Sequence, residues 1–153
     1  MVESLLHRPF ILFIGKYDRF LGPEVVKISE KIWDRNEITQ YLNDSLNIKN
    51  KYIVLEFKDC YVQIIKFFIQ NPTLKKGKQK YAIGIIRDKK LPKLPLDNLK
   101  KIEFYFKEIG SENILSENQE KFDFFIEKIL KNYILRKRIS FPLNHSHIKC
   151  GLN

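Results

Sequence analysis

Residues 9–17, PFILFIGKY, form a near-continuous apolar run, suited to a strand buried on both faces and central in its sheet. Asp18 to Pro23 (DRFLGP) is turn chemistry, closed by the Gly22-Pro23 pair. From Glu24 to Ile32 the pattern alternates loosely. Val26, Ile28 and Ile32 fall on one face and Lys27, Ser29 and Lys31 on the other, as in a half-exposed strand at a sheet edge. At Asp34 the period changes, because this residue and Glu37 are spaced as a helix-capping pair. Ile38, Tyr41, Leu42, Ser45 and Leu46 then recur at helical spacing and predict a short amphipathic helix with a narrow apolar stripe.

Strand periodicity returns at Tyr52–Phe57 (YIVLEF) and continues after a Lys58-Asp59 turn in Cys60–Ile69 (CYVQIIKFFI). It resumes at Tyr81–Ile86 (YAIGII), beyond a basic loop from Gln70 to Lys80. Such short connections are most simply an antiparallel meander. Gly84, inside the last of these strands, predicts a bulge or a close helix approach. Asp88 to Pro95 (DKKLPKLP) is a charged connector. Leu96, Leu99, Ile102, Phe106 and Ile109 give a second helix, ended by Gly110. Ser116 with Gln119 opens a third. Its stripe, from Phe122, Phe125 and Ile126 through Ile129 and Leu130 to Tyr133 and Ile134, is the cleanest in the chain. Arg136, Lys137 and Arg138 stand at its C-terminal end, where cations complement the helix dipole.

The order β-β-α-β-β-β-α-α contains no repeat and no domain break, so one domain is expected over residues 1–138 and a tail over 139–153. A five-stranded, mostly antiparallel sheet with an apolar central strand needs both faces covered. The expected class is therefore α+β, built as an α/β/α sandwich.

The chain has 153 residues, of which 44% are hydrophobic and 13% aromatic, enough for a single packed core and incompatible with general disorder. Twenty-eight Lys and Arg stand against 18 Asp and Glu, a formal net charge of +10. No apolar run approaches the roughly 20 residues that span a bilayer, and none has the flanks of a signal peptide. The two cysteines, Cys60 and Cys150, read as reduced thiols, and a cytoplasmic protein is expected.

Charge position matters more than charge total. Lys75, Lys76, Lys78 and Lys80 crowd one loop, and Lys89, Lys90 and Lys93 crowd the connector at the other end of the intervening strand. Plain solvation is the first reading of these loops. Contact of the first group with an anionic membrane surface is the second, and nucleic-acid binding the third. Thr73–Lys80 (TLKKGKQK) lacks the glycines of a phosphate loop. His145, His147 and Cys150 fall short of the four ligands of a structural zinc site. Cys60 begins an apolar strand with no base in view, and no nucleophile, metal or cofactor signature emerges.

The element order and two phrases resemble the longin domain, a profilin-like fold of the roadblock/longin group, archaeal members included. PFILFIGKYDRFLGPEVVKIS is similar to its first hairpin, a buried strand followed by an aspartate, a turn and Gly-Pro. IIKFFIQNPTLKKGKQKYAIGII (64–86) is similar to its fourth-to-fifth strand hairpin, with Asn-Pro and a basic loop around Gly77. The resemblance implies a non-enzymatic, cofactor-free interaction scaffold of membrane-trafficking-type machinery. Such a scaffold binds or regulates a small GTPase, or pairs with another longin or roadblock subunit, as a homo- or heterodimer. Pairing through the second strand and first helix would involve Val25, Lys27, Ser29 and Lys31 with Ile38, Tyr41 and Leu42. A basic nucleic-acid-binding domain is the alternative.

Overall fold

A computed structural model describes residues 10–30, 33–71, 73 and 77–137, with side chains described as far as Asn132. The strands are β1 (Ile11–Asp18), β2 (Gly22–Ile28), β3 (Tyr52–Glu56), β4 (Cys60–Gln70) and β5 (Lys78–Asp88). Helix α1 (Arg35–Leu46) follows β2, and α2 (Leu96–Lys107), α3 (Ser111–Leu115) and α4 (Gln119–Lys137) follow β5. The strands form one sheet in the order β2-β1-β5-β4-β3, every neighbour antiparallel. The α+β class and the five-stranded sheet are as expected.

Strand alternation sorts the core into two clusters, one on each face. Ile11 and Phe13 of β1, Val62 and Ile64 of β4 and Ala82 and Ile86 of β5 pack under α1 with Ile38, Tyr41 and Leu42. Their sequence neighbours Leu12, Ile14, Ile65, Phe67, Ile83 and Ile85 face the other way, against Phe106 of α2, Ile114 of α3 and Phe122 of α4. Each fully buried Val, Leu, Ile or Phe side chain among them contributes about 1.5–3 kcal/mol. That double burial explains why the middles of β1, β4 and β5 read as near-continuous apolar runs.

Gly84 is where two strands could not otherwise approach. A Cβ there would stand 1.8 Å from Cζ of Phe13, its register partner on β1. The expected bulge is absent at this position; the glycine makes room for a ring on the next strand. The irregularity lies instead between β1 and β2, at the Ile14/Gly15 step. Lys27 pairs with Ile14 and Val25 with Gly15, so Val26 is the extra residue.

That extra residue overturns the expected faces of β2. Val25 and Ile28 belong to the α1 side, and Val26 packs on the opposite side. The strand also ends at Ile28; the expected Ile32 lies outside the described residues. Asp34 caps α1 as expected, accepting from the Asn36 N–H at 2.8 Å. Ser116 does not open the last helix. It closes α3, and Asn118 takes the capping role, its side chain accepting from Lys121 N–H. Cys60 is fully buried at the start of β4, and Cys150 lies outside the described residues.

Candidate functional site

The sheet has two unlike edges, and the residues singled out in the sequence divide between them. At the first, β2, the backbone is tied down from both ends. Arg35, at the start of α1, donates from Nη2 to the Val25 carbonyl at 2.8 Å. Ser29 exchanges two bonds with Leu12, its N–H donating to the carbonyl and its Oγ accepting from the amide. Lys27 reaches Asp123 Oδ1 on α4 at 2.8 Å. Val25 packs half-buried against the core, and Lys31 lies outside the described residues.

Ile38, Tyr41 and Leu42 are 2% exposed or less. They fasten α1 to its own sheet, as the apolar stripe of a surface helix ordinarily does. The expectation that they meet a partner is corrected. The face of α1 turned to solvent carries Arg35, Asn36, Gln40, Asn43 and Asp44. Beneath the helix, burial pushes the Tyr41 hydroxyl far up, with the charge of Glu37 adding to it. The Trp33 indole hydrogen-bonds this hydroxyl and partly offsets the rise, and Glu37 Oε2 is buried there without a hydrogen-bond partner among the described residues.

The second edge is interrupted. β3 has five residues and β4 eleven, and the ladder pairs Tyr52–Glu56 only with Tyr61–Ile65. One further bond, from Lys66 N–H to the Lys51 carbonyl at 2.9 Å, ends the pairing. Because backbone groups alternate in direction along a strand, the Phe68 N–H and C=O point the same way as those of Lys66, away from β5. They face a groove of about 560 Å³ that continues the line of β3.

Five lysines line this groove: Lys49, Lys51, Lys66, Lys80 and Lys107. Lys66 is 6% exposed and donates to the Ser45 and Ile48 carbonyls, capping the last turn of α1. Burial lowers its pKa, and the nearby Lys80 adds to the effect. Lys80 leans over the rings of Tyr17, at 5.1 Å, and Phe68, its register partner, at 6.0 Å. Lys107 lies 5.4 Å over Phe67 on the other face and shares Glu103 with Lys51.

No known protein family matches this chain, and no curated protein does.

Lys78 and Lys80 belong to β5 rather than to a loop, with Lys78 also leaning over Phe68 at 5.9 Å. Lys75 and Lys76 lie outside the described residues, as do His7, Arg138, His145, His147 and Cys150; the side chains of Arg136 and Lys137 are likewise not described. The connector lysines stay at the opposite end of β5. Lys93 pairs with Glu56 at 2.8 Å, and Lys89 donates to the Phe57 carbonyl. Among the described residues no helix is long and apolar enough to cross a membrane, and no three His, Cys, Asp or Glu could hold a metal.

Sequence reasoning found Lys80 but missed Lys49, Lys51, Lys66 and Lys107 as one set. The available signal was the unequal length of two neighbouring apolar runs, YIVLEF against CYVQIIKFFI.

Proposed function

We propose that this chain is a longin-type interaction scaffold, non-enzymatic and cytoplasmic, that dimerises and binds a small GTPase. The observation that carries the reading is the arrangement around β2. That strand is a sheet edge, and α1 runs beside it, joined to it by the bond from Arg35 to Val25. A strand and a helix side by side form the kind of self-complementary surface that a two-fold dimer needs. The sheet order β2-β1-β5-β4-β3, with one helix following β2 and the others following β5, also supports a longin-type assignment.

On this reading the contact is made by the backbone edge of β2 and the polar outer face of α1, not by Ile38, Tyr41 and Leu42. Purified small GTPases of the source cell, each loaded with GDP or a GTP analogue, test the partner. One of them is expected to be retained by the immobilised chain in a nucleotide-dependent way. Retention of none would overturn the GTPase assignment.

A further inference from the structure

We propose that the groove beside Phe67 and Phe68 is a docking site for an acidic peptide segment of a partner protein, added in extended form to the open edge of β4. The inference does not depend on pairing through β2.

Geometry selects an extended chain. Lys51, immediately before β3, stands at one end of the groove, and β4 forms its floor beyond the point where β3 stops. A segment laid there continues β3 and can exchange hydrogen bonds with the Phe68 N–H and C=O, as in strand addition. The flanks of the groove are the C-terminal ends of two helices from opposite faces of the sheet. Leu46 and Ile48 come from the α1 side and Lys107 from α2.

Charge selects an acidic one. Successive side chains of an added strand point to alternate faces. On one face they meet Lys66 and Lys80, and on the other Lys107 and Lys51. Among the described residues none that lines the groove is acidic, and Glu103 stands behind it, shared by Lys51 and Lys107. Phe68, 55% exposed between Lys78 and Lys80, gives the segment an apolar contact. Residues 138–153 of this chain contain no Asp or Glu and lack the charge to fill the groove themselves. A bilayer surface is too broad to reach backbone groups recessed between two helix ends, and a nucleic acid strand leaves their pairing directions unused.

The test uses the full chain and a fluorescent peptide alternating valine with glutamate, followed by anisotropy at low salt. Binding is expected, together with slowed hydrogen exchange at the Phe68 amide. A copy N-methylated on the edge that pairs should bind at least about tenfold more weakly, as strand addition requires. The double variant Lys80→Glu/Lys107→Glu, at one half-buried and one exposed cation, should lose at least about tenfold at a temperature where its circular dichroism matches that of the folded parent chain. Equal binding of the N-methylated and unmodified peptides would overturn the proposal. So would unchanged exchange at Phe68, or binding that survives the double reversal. Tight binding of phosphatidylserine vesicles or of an oligothymidylate strand at the same lysines, with no peptide bound, would overturn it in favour of those ligands.

Discussion

The two edges of this sheet solve the same problem in opposite ways. An unpaired strand offers backbone groups to any passing chain, and proteins blunt it or use it. β2 is long, half-buried along nearly its whole length and braced by Arg35, Ser29 and Lys27. It presents a flank beside α1. The other edge is recessed: β3 covers half of β4, and the uncovered half sits in a lysine-lined groove. A strand and helix side by side suit a second folded surface, and a recess suits a single extended strand. Edge length and recess thus distinguish two partner types on one sheet.

The largest expected effect removes both edges at once. In Gly84→Ala the new methyl meets the Phe13 ring, itself fully buried under α1. A loss of about 3 kcal/mol or more follows, read by urea unfolding, because neither strand can retreat from a sheet packed on both faces.

Alkali acts next. Burial, with help from Glu117, pushes Tyr81 up to about 12 from 10.0. The folded state therefore holds this proton more tightly than the unfolded chain. Its contribution is complete below pH 10 and is lost as pH rises through about 12, a fall of about 2–3 kcal/mol. Tyr17 and Tyr61 are raised chiefly by burial and act in the same direction. The ring resonances of Tyr81, followed by NMR, and the ellipticity should change together in that window; a Tyr81 tyrosinate in a still-folded protein would contradict the burial argument.

Smaller substitutions separate the edges. Lys66→Met removes the donor to the Ser45 and Ile48 carbonyls and should cost about 1–2 kcal/mol. Amide exchange should quicken in the last turn of α1 and stay unchanged along β2. The lysine's lowered pKa adds a check of opposite sign to that of tyrosine. Its burial penalty is relieved as pH rises towards 10.5, a rise that the methionine variant lacks. Arg35→Ala should cost about 0.5–1 kcal/mol or less, since the bond is exposed. It should quicken exchange in β2 and leave the Phe68 amide as it was.

The sequence made the two-sided burial legible, because β1 and β4 are apolar at consecutive positions and only a sheet covered on both faces hides both sets. It also placed α1 and its Asp34 cap. Three features escaped it for physical reasons. Helix α3 is a single turn that buries only Ile114, too little for a periodic stripe. The bulge at Val26 inverts the faces of β2 by inserting one residue, and nothing in the side chains announces it. The groove draws lysines from four separate stretches of chain, which meet only because β3 is shorter than β4. Buried stripes and partner surfaces also look alike in a sequence, which is how Ile38, Tyr41 and Leu42 came to be read as an interface.

Dimerisation through the β2–α1 flank is the central claim, and native mass spectrometry across a range of protein concentrations tests it most directly. The account predicts a species of twice the 18.3 kDa chain mass that grows with concentration and weakens in a variant carrying Arg35→Glu. A strict monomer at every concentration, or a dimer indifferent to that charge reversal, would contradict it.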